Sequence, residues 1–244
     1  MHCRVAVISD VHFTRERDEE TAPTRQGWRG KELLTDAVHM VNEEINPDIV
    51  LVLGDLVDDG ETEAGPPLLR ELRPAVDLIE APMLVLPGNH DPAPEEFYRV
   101  FEPLPEWMDA DGVRFVPFVD PEAPEFNAWR PPESLARLVE AREEFDGPIV
   151  SVQHVPLFRP GACDCPYNYT NAEEILETMQ AYGAVCAISG HYHRGIAVAD
   201  AGGFVSISNP ALCEAPFRFL EVTFSSGAIA VREHALPDIS RIKQ

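Results

Sequence analysis

The chain has 244 residues, 42 acidic against 19 basic side chains, a formal net charge of −23, and 45% hydrophobic residues. That charge excludes a duplex nucleic-acid binder, which needs a basic stripe to meet the phosphates, and the apolar content excludes a largely disordered chain. No stretch approaches the roughly 20 apolar residues of a membrane helix, so no membrane span is expected. The opening residues have a short apolar run that meets Asp10 at once, and they lack the marks of a secretory leader. The five cysteines, Cys3, Cys163, Cys165, Cys186 and Cys213, are odd in number and match no zinc or disulfide spacing. Free thiols and a cytoplasmic location are the expectation.

In chain order, apolar runs at 5–8, 49–53, 83–86, 113–119, 149–152 and 185–189 read as buried strands. Between several of them lie helical patterns. Residues 31–45 repeat Leu34, Val38, Val41 and Ile45 at spacings of three and four, and 133–145 and 171–182 behave alike. Asn171 stands as an N-cap with Glu174 three residues on, and Gly183 as a C-terminal stop. Strands alternating with helices indicate an α/β sheet of parallel character. The last quarter changes pattern. Short strands at 196–199, 204–208, 217–223 and 229–232, joined by Gly-containing turns, suggest antiparallel hairpins that form a second sheet. No composition break marks a linker, so residues 1–244 read as a single domain. Segments 14–30 and 120–132 are long loops of the kind that serve as lids or binding loops.

Polar clusters follow five of the strands. Asp10-Val11-His12 follows the first, Gly54-Asp55 the second and Gly88-Asn89-His90-Asp91 the third. His154 follows 149–152, and Gly190-His191-Tyr192-His193 follows 185–189. Ligands of open α/β sheets bind beyond the carboxyl ends of the strands. Residues two apart on an extended chain point the same way, so Asp10 with His12, and His191 with His193, can each chelate. Imidazole and carboxylate together suit Mn, Fe, Zn, Co or Ni. Seven or eight candidate ligands exceed the four of one tetrahedral site and are enough for two metals. Gly30-Lys31-Glu32 is not a phosphate-binding loop, because no Ser or Thr follows the Lys. Phe13, Trp28, Tyr167 and Tyr192 read as packing aromatics rather than base-stacking ones.

The series Asp-x-His, Gly-Asp, Gly-Asn-His-Asp, His, Gly-His-x-His, in order from Asp10 to His193, resembles the calcineurin-like metallophosphoesterase family. The resemblance implies a four-layer αββα sandwich, two mixed β-sheets flanked by helices. It implies two divalent or trivalent metal ions, the first held by Asp10, His12 and His193, the second by Asn89, His154 and His191, with Asp55 bridging. His90 faces the substrate and assists the leaving group, and Asp91 orients His90 or its loop. Asn89, His90 and Arg194 are the candidate substrate contacts. The implied reaction is hydrolysis of a small-molecule phosphoester by a metal-bridged hydroxide. A phosphodiester or nucleotide pyrophosphate is the preferred substrate, with a phosphomonoester, including a phosphoprotein, as the alternative. A non-catalytic scaffold is disfavoured because ligands and His90 are all retained. An amidohydrolase is disfavoured because that class carries His-x-His after its first strand.

Overall fold

The alternating pattern resolves into two sheets in the computed structural model, which describes residues 2–17, 23–199 and 202–237. Part of the 14–30 loop, 18–22, lies outside them. The elements run β1 (His2–Ile8), α1 (Gly30–Met40), β2 (Ile49–Leu53), α2 (Gly65–Val76), β3 (Met83–Leu86), α3 (Pro94–Phe97), β4 (Met108–Ala110) and β5 (Val113–Pro117). They continue with β6 (Glu122–Ala123), β7 (Asn127–Ala128), α4 (Pro132–Arg142), β8 (Ile149–Val152), α5 (Ala172–Ala181) and β9 (Ala184–Ser189). The chain then adds β10 (Ile196–Ala199), β11 (Val205–Ser208), β12 (Arg218–Ser225) and β13 (Ala228–Ala235).

One sheet has the order β13-β12-β1-β2-β3 and the other β10-β11-β9-β8-β5-β4. Within them β1, β2 and β3 are mutually parallel, as are β5, β8, β9 and β11. Three apolar layers separate four structural layers. Cys3, Val5 and Val7 of β1 face Phe115, Val150 and Ile188 of the other sheet between the two sheets. The alternate residues Ala6 and Ile8 turn outward onto Leu34, Val38 and Leu69 of α1 and α2. On the far side, Val116 and Ala187 pack on Leu138, Ile175 and Met179 of α4 and α5. Strands with both faces covered read as continuous apolar runs rather than alternating ones, which is why 49–53 shows no period. The expected αββα sandwich is the observed fold.

The helices differ from expectation in detail. The 31–45 pattern is α1 followed by one π-helical turn, Val41–Ile45, closed by Asn46 at φ +48°. The 133–145 pattern stops at Arg142. Gly183, at φ +70°, ends α5 as expected. Asn171 holds the N-cap position but does not cap the helix. Its Oδ1 accepts from the Arg130 backbone N–H at 3.1 Å and its Nδ2 donates to the Arg130 carbonyl at 2.9 Å. The side chain is thus committed to a neighbouring loop. Helix α2, with Pro66, Pro67 and Pro74, has no clear sequence signal.

The last quarter corrects a larger expectation. Its strands do not build a sheet of their own. β12 and β13 form a hairpin whose inner strand lies antiparallel to β1, whereas β10 and β11 form a hairpin that joins β9 in parallel. Local hairpin signals specify a pair of strands and say nothing of which open edge the pair will cover. Among the described residues no helix is long and apolar enough to cross a membrane.

Phe115 is fully buried between the sheets, its ring 6.1 Å from that of Phe224. Phe115→Ala should therefore cost about 3–5 kcal/mol of unfolding free energy, read from urea denaturation. The loss should leave the metal cluster's composition unchanged.

Candidate metal centre

The carboxyl ends of β1, β2 and β3 meet those of β8 and β9, and the loops leaving them extend the sheet pairing. Asp10 N–H donates to the Gly54 carbonyl at 3.0 Å and His12 N–H to the Asp55 carbonyl at 2.9 Å. Gly190 N–H donates to the His154 carbonyl at 2.9 Å. Asp10, His12, Asp55 and His191 all sit at positive φ, between +45° and +65°. Non-glycine residues hold that conformation only where surrounding structure enforces it, and such strain collects at functional sites. Gly88 supplies closeness: a Cβ there would overlap Asp55 Oδ1 and His154 Cε1.

Every sequence-predicted ligand is brought to one place. His12 Nε2 and His193 Nε2 lie 3.2 Å apart. Asp10 Oδ1 is 4.0 Å from the former and 3.5 Å from the latter. Beside them, His154 Nε2 lies 3.2 Å from His191 Nδ1 and 3.1 Å from Asn89 Oδ1. Asp55 stands between the two sets, its Oδ2 3.5 Å from His12 Nε2 and 3.3 Å from His154 Nε2. Its Oδ1 accepts the His90 backbone N–H at 2.9 Å.

The proton inventory shows that this arrangement fits cations. His12 Nδ1 donates to Asp58 Oδ1 at 2.8 Å, His193 Nδ1 to Glu214 Oε1 at 2.9 Å and His154 Nδ1 to the Leu53 carbonyl at 2.7 Å. With those protons committed, each ring in its neutral form aims a lone pair inward, His12 and His193 at each other and His154 at His191 and Asn89. Lone pairs facing at hydrogen-bond distance repel unless a proton or a cation lies between them. A carboxylate or carbonyl on the far nitrogen is also the usual support of a metal-binding imidazole.

Electrostatics agree. Burial lowers the His12 imidazole despite Asp58, and burial with neighbouring His154 lowers His191 to about 4. Burial also opposes charge on His154, but the Asp55 carboxylate overrides it and raises His154 to about 9. The same His154 charge holds Asp55 well below the carboxylate range against its own burial. One proton therefore substitutes, in the metal-free protein, for what a divalent ion would supply.

Of the two tasks the sequence allows Asp91, the structure shows the loop. Its Oδ1 accepts Leu56 and Val57 N–H at 2.9 and 3.0 Å and its Oδ2 accepts Gly88 N–H at 2.9 Å. Burial and the Asp55 charge push this carboxyl up to about 7 in spite of those bonds. His90 instead rests on Asp58, its Nδ1 donating to that residue's carbonyl at 3.0 Å. The His90 side chain is 31% exposed and lines a cavity of about 720 Å³ with Arg25, Arg194, Tyr167 and Tyr192. Arg194, a candidate substrate contact, lines the same cavity as His90. Tyr167 and Tyr192 prove to be cavity residues rather than packing ones, Tyr167 lying edge-on to His191 at 4.5 Å.

Asp58, Glu214, Arg25 and Thr24 escape the sequence analysis. Arg25 Nη1 donates to Asp58 Oδ1 at 2.8 Å and Thr24 Oγ1 to Glu214 Oε1 at 2.9 Å. The 23–26 segment thereby ties both imidazole-supporting carboxylates together. Only Asp58, three residues after Asp55, offered a local signal. Glu214 is one of 42 acidic residues and nothing near it distinguishes it.

A model of the family described as calcineurin-like phosphoesterase matches residues 3–195. The chain belongs to the calcineurin-like phosphoesterases. This calcineurin-like phosphoesterase is accordingly a hydrolase of phosphoester bonds, and membership implies two divalent metal ions, for which candidate ligand clusters are present. It is 22% identical over 200 residues, 78% of either chain, to a probable cyclic nucleotide phosphodiesterase of Xenorhabdus bovienii. It is 34% identical over 79 residues to a probable glycerophosphodiester phosphodiesterase of Arcobacter nitrofigilis, a match spanning 32% of this chain and 27% of that one. In fold it is similar to a dimetal phosphatase of Danio rerio, with TM-score 0.79, 18% identity and 96% of both chains covered. An anchor protein of the Plasmodium inner membrane complex also shares the fold, with TM-score 0.64 and 12% identity over 96% of this chain and 84% of that one. The fold thus serves different ends, and activity must be argued from the site.

The His154 shift makes a pH prediction. A histidine whose folded pKa is raised stabilises the fold below its unfolded value and loses that contribution as pH rises through the folded one. Chelator-treated protein should therefore lose melting temperature as pH rises from 6.5 toward 9. His154→Gln should flatten that slope, and metal-loaded protein should show the reverse trend because ligands must release protons to bind.

Proposed function

We propose that this protein is a dinuclear phosphohydrolase that cleaves a small-molecule phosphodiester or nucleotide pyrophosphate. The observation that carries the reading is Asp55 Oδ2, set 3.5 Å from His12 Nε2 and 3.3 Å from His154 Nε2 between two converging donor sets. Asp10, His12 and His193 with Asp55 would hold one ion. Asn89, His154 and His191 with Asp55 would hold the other. Bound there, the ions supply Lewis acidity toward a phosphoryl oxygen and lower the pKa of water.

The chain's own residues do the rest. Asp58 and Glu214 fix the His12 and His193 rings so that Nε2 faces inward. His90 Nδ1–H is held by the Asp58 carbonyl, which leaves Nε2 to serve, when the ring carries a second proton, as donor to the leaving oxygen. Arg25 and Arg194 line the same cavity and offer charge to phosphate oxygens that the ions do not meet. Asp91 keeps the loops after β2 and β3 in register. Relatives named as diesterases favour a substrate with a group on each side of the phosphorus over a monoester. Reduced cysteines at all five positions support a cytoplasmic setting, and convergence of segments from β1 to Glu214 on one site supports a single domain.

Protein stripped of metal and reloaded with Mn²⁺ tests the reading. It should cleave bis-p-nitrophenyl phosphate at least tenfold faster in kcat/KM than p-nitrophenyl phosphate; the opposite order would make it a monoesterase. His90→Ala should lower kcat about 10²–10³-fold with both ions retained by elemental analysis. Asn89→Ala should instead lower the bound metal count. Loss of metal in His90→Ala would show that His90, not Asn89, is a ligand.

A further inference from the structure

A second cavity, of about 410 Å³, adjoins the metal cluster, and Asn89 and His154 form part of its wall. The remaining wall is of a different character. Pro92, Phe118, Phe126 and Tyr169 dominate it, and its charged side chains are the acids Asp91, Asp120 and Glu122, with no lysine or arginine. The larger cavity carries Arg25 and Arg194 beside the acids Asp55, Asp164 and Glu214. An anionic group would find a guanidinium in the larger cavity and none in the smaller one.

The loop that builds this wall is costly and is held in place with care. Val119, Phe126 and Trp129 are 40%, 56% and 43% exposed, a concentration of large apolar side chains that marks an interaction site. Glu125 and Phe126 both have positive φ, +64° and +61°, strain that persists only where the surroundings impose it. Beneath them Arg130 is fully buried, its Nε donating to Asp120 Oδ2 at 2.8 Å and its guanidinium lying 3.6 Å over the Phe118 ring. The Asn127 side chain donates to the Pro124 carbonyl at 2.8 Å and accepts Asn168 N–H at 2.9 Å. Phe126 lines both cavities, its ring 6.5 Å from that of Tyr167. It is thus a wall shared by the two cavities.

We propose that the smaller cavity is the subsite for an uncharged, apolar ring joined to the phosphorus of the substrate, and that Phe126 is its specificity-determining residue. The inference rests on the metal centre reading above and adds which group the enzyme selects. The ring enters past Phe126, stacks among Phe118, Tyr169 and the prolines, and leaves any charged remainder on the arginine side.

Calorimetric binding of phenylphosphonate and methylphosphonate to Mn²⁺-loaded protein tests it without relying on turnover. Phenylphosphonate should bind at least tenfold more tightly, a ratio worth about 1.4 kcal/mol. Phe126→Ala, which removes the wall, and Ala128→Phe, which fills the cavity, should each bring the ratio within about threefold. Leu78→Ala, an exposed apolar residue elsewhere, should leave it unchanged. Should Ala128→Phe fail to fold by circular dichroism, the exposed Phe126→Ala decides alone. Equal affinities in the native protein, an undiminished ratio in Phe126→Ala, or no binding of either phosphonate overturns the proposal. Rates on phenyl and methyl p-nitrophenyl phosphate separate the two readings. Cleavage of both without preference sinks the subsite and keeps the hydrolase. Selective binding with no cleavage keeps the subsite and sinks the hydrolase.

Discussion

One buried carboxylate governs the molecule's chemistry. Asp55 is fully enclosed, and its two oxygens are divided between the backbone of the His90 loop and two imidazoles from different sheets. A charge so placed is untenable without compensation. Without the ions, the Asp55 carboxylate raises His154 to about 9 against the cost of its burial, so that a proton there offsets the charge. Two cations between the donor sets would do the same work and leave the imidazoles neutral. Metal affinity, protonation and stability are therefore one coupled quantity here rather than three.

Holding that carboxylate in place requires backbone that most sequences avoid. Four of the ligand residues adopt positive φ, and backbone hydrogen bonds between neighbouring loops hold them there. Asp91 provides the restraint: its three accepted N–H bonds join the loop after β2 to the loop after β3. Buried among other acids, it resists ionisation, so the restraint itself depends on how the Asp55 charge is neutralised. The 23–26 segment closes the arrangement from the opposite side, where Thr24 and Arg25 engage the carboxylates that orient His193 and His12.

The two cavities beside the cluster differ in lining, the smaller rich in aromatics and prolines and the larger bearing two arginines, and the 118–130 loop supplies much of the former. Arg130 is its keystone. The buried guanidinium donates to Asp120, Ser151 and Gln153, which fixes the loop's base and lets its tip carry an exposed Phe126 in strained backbone. The 120–132 segment reads in sequence as a long loop of the kind that serves as a lid or binding loop. Its small β6–β7 pair and its buried anchor make it a rigid wall instead.

The sequence by itself determined the strand-end chemistry. Asp10, His12, Asp55, Asn89, His154, His191 and His193 each follow an apolar run, and a strand must release its chain at its end, so order along the chain was enough to bring them to one edge. The αββα layering was implied by the family resemblance that those clusters carry. Tertiary structure alone decided what lies between those ends. Glu214 reaches His193 because the segment after β11 folds back under β1, with Cys213 N–H on the Asp10 carbonyl at 3.1 Å. Hairpins β10–β11 and β12–β13 went to opposite sheets because open edges exist only once the sheets do. Asp91 turned to the backbone and Asp58 to the histidines. Sequence records which groups are available, but hydrogen-bond partners are settled by burial, and burial belongs to the folded chain as a whole.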